Sequence, residues 1–149
     1  MKKFAALILA LLPCPAAAIV GEAAPETMRS AQMVMVLTKA PRVSGFCSAV
    51  VITQRVLLTA GHCVAALDDT VGFLRHAGEQ GTFAPVQSIS AHPLYKPQAL
   101  QTREKTVDLA LIRLKEPLPA SYAPAQLSKR DAMTVGESFD LVGFGLTKE

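Results

Sequence analysis

Hydrophobic residues occur along this chain in short runs that polar and turn-forming residues separate. Such runs, with frequent turn signals between them and almost no helical periodicity, predict β-strands. The pattern therefore predicts an all-β domain, either a barrel or a sandwich. The candidate strands are 33–37, 46–52, 56–59, 71–74, 83–90, 107–114 and 139–142.

The segments between these runs predict how the strands are connected. Runs 46–52 and 56–59 are separated only by Thr53-Gln54-Arg55, which indicates a hairpin. Residues 60–67 could hold a single helical turn, and residues 92–106 are polar with two prolines, which predicts a long loop.

Residues 107–114 alternate in character, as a strand with two different faces does. The alternation places Val107, Leu109 and Leu111 on one face of the predicted strand. Asp108 would lie on the other face, together with Ala110 and Ile112. A carboxylate within an apolar strand needs hydrogen-bond partners or an opposite charge, so Asp108 is a candidate functional residue.

The N-terminus has the pattern of a signal peptide. Two lysines precede the apolar run 4–12, and Ala16-Ala17-Ala18 follows Pro13-Cys14-Pro15. The apolar run is too short to be an anchor, because a membrane span needs about 20 residues. A buried N-terminal helix is the alternative, which the prolines and the preceding lysines disfavour. We expect residues 1–18 to be removed, Cys14 with them, and the protein to be exported to a periplasm or outside the cell.

Charge and cysteine content narrow the function classes. The chain has 15 basic and 12 acidic residues, and loss of Lys2 and Lys3 would leave it almost neutral. A neutral domain offers no electrostatic argument for binding nucleic acid or an anionic membrane surface. The cysteines that remain, Cys47 and Cys63, favour one disulfide in an exported chain.

The segment that ends in His62 carries the most specific motif. Cys47-Ser48-Ala49-Val50-Val51-Ile52 and Val56-Leu57-Leu58-Thr59-Ala60-Gly61-His62-Cys63 resemble the chymotrypsin/trypsin family around its general base. The resemblance implies that His62 is the catalytic histidine. It also implies that Cys47 and Cys63 are bonded and hold the histidine loop against a barrel.

A second segment supports the same resemblance. Val107-Asp108-Leu109-Ala110-Leu111-Ile112-Arg113-Leu114 is similar to the family's Asp-Leu/Ile-Ala-Leu-Leu-x-Leu strand, which implies that Asp108 is the catalytic carboxylate. A structural aspartate that caps a loop is the alternative, but the order of histidine before aspartate fits the family. His92 lies in a segment like the family's His-Pro-x-Tyr and is expected to be a loop residue without a catalytic role.

The two ends of residues 19–149 extend the resemblance. Ile19-Val20-Gly21-Glu22 resembles the family's mature N-terminus, Ile-Val-Gly-Gly, although Glu22 replaces the second glycine. The resemblance implies that the ammonium of Ile19 pairs with an aspartate beside the catalytic serine. Because Ala16-Ala17-Ala18 directly precedes Ile19, we expect signal peptidase itself to free that ammonium. Leu141-Val142-Gly143-Phe144-Gly145 is similar to the Gly-Trp-Gly segment in the opening strand of the family's second barrel.

The resemblance implies a fold and a function for residues 19–149. The fold is a trypsin-like antiparallel β-barrel, the first of two, with the opening strand of the second. The function is that of a secreted serine endopeptidase that cleaves proteins or peptides and uses no cofactor and no metal. The peptidase domain is expected to be incomplete at its C-terminus.

The nucleophilic serine is the missing part of the triad. The family carries it in Gly-Asp-Ser-Gly-Gly, after the Gly-Trp-Gly segment, and no such motif occurs here. Ser138, in Gly136-Glu137-Ser138-Phe139, is faintly similar but lacks the following glycines and precedes the Gly-Phe-Gly segment. We therefore expect the 149 residues alone to be inactive.

Two other functions are alternatives to peptidase activity. A non-catalytic homologue could bind a partner through the barrel surface, but such a protein needs neither His62 nor Asp108. A metal or redox site could use Cys47, His62 and Cys63, but the sequence lacks a C-x-x-C or H-x-x-x-H ligand pair, and export favours the disulfide.

Overall fold

The computed structural model describes residues 28–39, 44–64, 70–74, 80–130 and 132–144. The predicted signal peptide, with Cys14, and the predicted mature N-terminus at Ile19 lie outside these residues. Across the described ranges, no helix is both long enough and apolar enough to cross a membrane.

Antiparallel strands form most of the regular structure. A 3-10 turn (Ser30–Gln32) precedes the strands, and two single-turn helices interrupt them. The elements are β1 (Met33–Lys39), β2 (Ser44–Thr53), β3 (Val56–Thr59), α1 (Gly61–Val64), β4 (Thr70–Leu74), β5 (Thr82–Ala91), α2 (Ala99–Thr102) and β6 (Ala110–Leu114).

The six strands close into a barrel in the order β1-β2-β3-β6-β5-β4. Every neighbouring pair is antiparallel, and β4 pairs back with β1 through Val36 opposite Phe73. The prediction of an all-β chain with an antiparallel barrel is therefore confirmed.

Alternate residues of the strands fill the barrel. Because side chains along a strand point to opposite faces, positions two apart share the interior. Leu57 on β3 is fully buried and lies opposite Ile112 on β6, which is fully buried too. The core consists of Val34, Val36, Ala49, Val51, Leu57, Phe73, Ala84, Val86, Ile112, Leu114, Leu118 and Tyr122.

The predicted hairpin is present, with a shorter connection than expected. Strand β2 continues to Thr53, so only Gln54 and Arg55 form the turn before β3. The pairing register shifts between Val51 and Thr53. A bulge of this kind accommodates an extra residue in one strand, which is how Thr53 joins the ladder.

Three predicted segments differ from the structure. Strand β6 begins at Ala110, so Asp108 lies before the strand and not within it. Residues 92–106 contain the turn α2, which ends where Arg103 takes a left-handed conformation and donates its N–H to Ala99 O. Residues 139–142 are not a strand, because no described segment pairs with them. A strand requires a neighbour to satisfy its backbone groups.

Candidate active site

The histidine loop is a short turn held at both ends. Helix α1 begins one residue after the end of β3, and its first turn is closed by a hydrogen bond from Cys63 N to Ala60 O at 3.2 Å. Cys63 is bonded to Cys47 on β2, with a Cα–Cα distance of 6.2 Å. The predicted disulfide is confirmed, and it holds His62 against the barrel wall.

Asp108 reaches His62 because strands β3 and β6 are neighbours. Thr59, at the end of β3, pairs with Ala110, at the start of β6. His62 follows the first of these positions and Asp108 precedes the second, so the pairing brings both residues to one end of the barrel. Leu109 is fixed there by two bonds, from its N–H to Val107 O at 2.9 Å and to its carbonyl from His92 N at 2.8 Å.

The Asp108 carboxylate accepts two hydrogen bonds from His62. The ring nitrogen Nδ1 lies 2.7 Å from Asp108 Oδ2, and the backbone N–H of His62 lies 2.9 Å from Oδ1. Each carboxylate oxygen thus has its own partner on the same residue. This bidentate arrangement fixes the imidazole ring relative to the backbone that carries it.

The carboxylate is held in its ionised form. Burial raises the pKa of Asp108, but hydrogen bonds from the His62 ring and backbone, the charge of His62 and a bond from the Gly61 backbone together lower it below 3.8. An ionised carboxylate can only accept hydrogen bonds, so Nδ1 must carry the hydrogen in their contact. In the neutral imidazole the lone pair is then on Nε2.

The second ring nitrogen of His62 is turned away from Asp108. The His62 side chain is 65% exposed, while that of Asp108 is 39% exposed. Nε2 lies 3.5 Å from Cys63 Sγ, next to the disulfide. A basic nitrogen in an exposed position, with its tautomer fixed from behind, can take a proton from a group that binds in front of it.

This geometry is accompanied by a match to known proteins over the same residues. A family model described as Trypsin matches residues 18–149. The chain belongs to the trypsin family. Trypsin 5G1 from Aedes aegypti is 30% identical over 112 residues, which cover 70% of this chain and 40% of that protein.

The solved structures agree on the fold. One described as "Structure of GrC" superposes with a TM-score of 0.53 at 23% identity, covering 70% of this chain and 47% of the other. At that identity the likeness shows the trypsin-like fold alone. The chain therefore spans less than half the length of both relatives, 40% of one and 47% of the other.

A tyrosine that the sequence did not single out packs against the histidine turn. A Cβ added at Gly61 would lie 2.8 Å from Cδ2 of the Tyr95 ring. Only glycine permits this approach, so the Ala-Gly-His order in the trypsin motif has a steric reason at this position. The His-Pro-x-Tyr resemblance was the signal that could have pointed to Tyr95.

The loop that carries Tyr95 is closed at its base. Val107 N donates to Leu94 O at 3.3 Å, and Lys96 N donates to the Thr106 hydroxyl at 2.7 Å. His92 belongs to the same base, where its Nδ1 accepts the Leu94 N–H at 3.1 Å. These bonds fix the path of the chain between the end of β5 and Asp108.

Ser48 links the barrel to the Gly-Phe-Gly segment, which resembles the Gly-Trp-Gly segment of the trypsin family. Its hydroxyl accepts the Phe144 N–H at 2.7 Å, and its carbonyl accepts the hydroxyl of Thr59 at 2.9 Å. A Cβ at Gly143 would lie 2.9 Å from this hydroxyl, so the close approach depends on glycine. No motif near either residue pointed to this contact.

Ser138 lies on an exposed turn in this trypsin-family chain. Gly136 takes a positive φ of 88°, and Glu137 N donates to Thr134 O at 3.0 Å. Ser138 follows this turn and is exposed. Phe139 and Asp140 follow it, where a nucleophile turn has the glycines that supply oxyanion donors.

Proposed function

We propose that this chain supplies the general base and the orienting carboxylate of a secreted trypsin-like serine endopeptidase. The observation that carries the proposal is the bidentate contact of Asp108 with the ring and backbone of His62, at 2.7 and 2.9 Å. Trypsin-like proteases act on proteins or peptides, and family membership supports substrates of this class for the whole protein.

His62 has the role of proton carrier in this proposal. Its Nε2 takes the proton of a serine hydroxyl as that oxygen attacks a peptide carbonyl carbon. The proton then passes from Nε2 to the leaving amine, which departs as the acyl-enzyme forms. A water molecule then attacks the acyl-enzyme in the same way, with His62 again taking and giving the proton, and the carboxylic acid is released. A neutral hydroxyl is a poor nucleophile, which is why a base within hydrogen-bond reach is required.

Asp108 acts on His62 and stays ionised throughout. It accepts the Nδ1 hydrogen, which keeps Nε2 unprotonated before attack, and it stabilises the imidazolium that forms afterwards. The backbone bond from His62 N to Oδ1 keeps the carboxylate from rotating out of line. The lowered pKa of Asp108 supports this role, because a protonated carboxyl would lose one of its two acceptor sites.

The nucleophilic serine, the oxyanion donors and the specificity pocket are assigned to the remainder of the whole protein. Support comes from coverage, since the chain spans 40% of its curated relative and 47% of its structural relative. Gly143-Phe144, attached to Ser48, would then be where the polypeptide passes from the first barrel to the second.

Export and activation complete the proposal. Residues 1–18 are a signal peptide, residues 19–149 are the peptidase domain, and the new ammonium of Ile19 orders the pocket of the whole enzyme. The family match, which begins at residue 18, supports this boundary. N-terminal sequencing of exported protein should give Ile-Val-Gly; a first residue at Glu22 or beyond would contradict the assignment.

The experiment that tests the function uses the full open reading frame around this chain. We expect the secreted product to hydrolyse peptide amides and to be inactivated by a serine-directed phosphonate. His62→Ala should lower kcat by a factor of about 10⁴ to 10⁶, as in proteases with this triad. His92→Ala is the matched control, because it also removes an imidazole from this end of the barrel but leaves the Asp108 contact intact.

Two outcomes would contradict the proposal. Hydrolysis that survives His62→Ala would mean that another group acts as the base. A full-length product with an intact His62–Asp108 pair but no labelling by the phosphonate would favour the alternative, a non-catalytic homologue that binds a partner. The 149 residues alone should release no product in the same assay.

A further inference from the structure

We propose that reduction of the Cys47–Cys63 disulfide creates a binding site for a thiophilic divalent cation such as Zn²⁺. The ligands are the two thiolates and Nε2 of His62, with water as the fourth ligand. This site does not depend on peptidase activity, and it goes beyond the role proposed for His62.

The three ligand atoms are already gathered at one point. His62 Nδ1 or Nε2 and the sulfurs of Cys47 and Cys63 all lie within 4.8 Å of one another. Cys63 and His62 are on the single-turn helix α1, and Cys47 is on β2, so the ligands come from two elements that the barrel places side by side. The sequence lacks the ligand spacing of a common metal motif, but the fold brings these three residues together.

The distances suit tetrahedral zinc. With Zn–S of about 2.3 Å and Zn–N of about 2.0–2.1 Å, a sulfur and a nitrogen on one zinc ion lie about 3.6 Å apart. His62 Nε2 and Cys63 Sγ are 3.5 Å apart. Once reduced, the two sulfurs need to separate to about 3.8 Å, which rotation of their side chains allows.

Asp108 orients His62 as a carboxylate orients a metal-binding histidine. A ligating imidazole in proteins commonly donates its other ring N–H to a carboxylate, which fixes the tautomer and the ring orientation. Here Nδ1 makes that bond at 2.7 Å, so the Nε2 lone pair is the one left on the side of the sulfurs. The exposed side chain of His62 leaves a path for the ion and for a water ligand.

The chemistry balances with one named reductant. A dithiol gives two electrons and two protons to the Cys47–Cys63 bond and becomes a cyclic disulfide, while the protein gains two thiols. Zn²⁺ then binds with release of both thiol protons. The metal and the disulfide exclude each other, because each uses both sulfurs.

A consequence for activity rests on the proposed function. Zinc on Nε2 would occupy the nitrogen that must accept the serine proton, so the reduced, metal-bound protein could not catalyse proton transfer. The dithiol state of the surroundings would then decide whether His62 is a base or a ligand. The binding measurement below does not require this consequence to hold.

The test measures metal binding directly. The full chain carries Cys14→Ala, so that the third cysteine cannot contribute. It is reduced with a phosphine, freed of reductant without oxygen, and titrated with Zn²⁺ against a chromophoric chelator and separately with Co²⁺. We expect one ion per reduced chain, with a thiolate-to-cobalt charge-transfer band, and no binding to the oxidised chain at the same concentrations.

Variants decide whether the folded site is the one that binds. His62→Ala should weaken zinc binding at least tenfold, and Asp108→Asn by about 10–100-fold through loss of the ring's anchor. His92→Ala should bind as the parent does. Absence of a 1:1 complex in the reduced chain would overturn the proposal. So would binding that is insensitive to His62→Ala or Asp108→Asn, which is what an unfolded chain holding zinc by cysteines alone would give.

Discussion

Asp108 contacts the ring and the backbone of His62 with different oxygens of one carboxylate, at 2.7 Å and 2.9 Å. The backbone bond ties the carboxylate to the start of α1, and the ring bond ties the imidazole to the carboxylate. The orientation of His62 is thus fixed through a neighbour that is distant in sequence. Substitution of Asp108 should therefore change the tautomer and orientation of the His62 ring more than it changes the fold.

Replacing Asp108 by Asn should change the tautomer of His62. An amide can donate to Nδ1, which would move the ring hydrogen to Nε2 and remove the lone pair needed for catalysis. In the complete enzyme, kcat should fall by about 10⁴, the loss known for this change in serine proteases. Nitrogen-15 spectra of the imidazole report the tautomer, and Asp140→Asn, at an exposed carboxylate near Arg29, should leave those spectra unchanged.

Acid should destabilise the protein partly through Asp108. Because its folded pKa is lowered below 3.8, its contribution to the free energy of unfolding is complete above that value and is lost as the pH falls through the folded pKa. Denaturant titrations of wild type and Asp108→Asn should therefore differ most near neutral pH and converge in acid.

Glu137 is the reason why wild type and Asp108→Asn must be compared, and why one pH titration of stability is not enough. A hydrogen bond from Arg130 lowers the pKa of this partly exposed carboxylate too, and Glu137 contributes to the pH dependence of both variants alike. Only the difference between the two titrations isolates Asp108. A difference that grows as the pH falls below 3.8 would contradict the direction of the pKa shift.

A methyl group at Gly61 should disturb the histidine turn. In Gly61→Ala the new Cβ would meet the Tyr95 ring at 2.8 Å, and overpacking of this kind costs about 1–3 kcal/mol. The double variant Gly61→Ala with Tyr95→Ala is the control, because removal of the ring should relieve most of the cost. Equal losses of unfolding free energy in both backgrounds would mean that the ring is not what opposes the methyl group.

Truncation of two leucines should cost very different amounts of unfolding free energy. Leu57 is fully buried on β3, so Leu57→Ala should cost about 2–5 kcal/mol of unfolding free energy. Leu111 on β6 is 43% exposed, and Leu111→Ala should cost less than about 1 kcal/mol. Chemical denaturation measures both. Similar costs would mean that the face of β6 carrying Leu111 is covered.

Removal of the Ser48 hydroxyl should release the Gly-Phe-Gly segment. Ser48→Ala deletes the acceptor of the Phe144 N–H, a bond worth about 0.5–1.5 kcal/mol, and should speed hydrogen exchange at that amide. Ser90→Ala, on the exposed face of β5, is the matched control. Unchanged exchange at Phe144 in Ser48→Ala would show that other contacts hold the segment.

Local pattern was sufficient for most strands and for the histidine motif. The runs around Val34, Val51 and Leu57 alternate or carry branched residues, and their strands formed where the pattern placed them. The division of this segment into two faces was predicted as well: Ala110 and Ile112, which share the parity of Asp108, are buried, while Leu109 and Leu111 are exposed.

The failures come from interactions that local pattern does not contain. The alternation at Val107 and Asp108 resembled a strand, but the Val107 backbone bonds with Leu94 and Leu109, and the pairing with β3 begins only at Ala110. The segment 139–142 had strand character without a strand beside it in the described residues. The Ser48–Phe144 bond joins positions 96 residues apart, and the sequence around either residue contains no pattern that predicts it.

The closure of the loop between β5 and Asp108 separates its tip from the catalytic geometry. The hydrogen bonds at Val107 and Thr106 are supplemented by an ion pair of Lys96 with Glu104 at 2.7 Å. Together these contacts join the two ends of the loop. Lengthening a loop whose ends are already joined costs little free energy. Apart from Ala99, which is buried, residues 97–103 could therefore vary in length and composition during evolution, giving related proteins new surface beside the same His62–Asp108 pair.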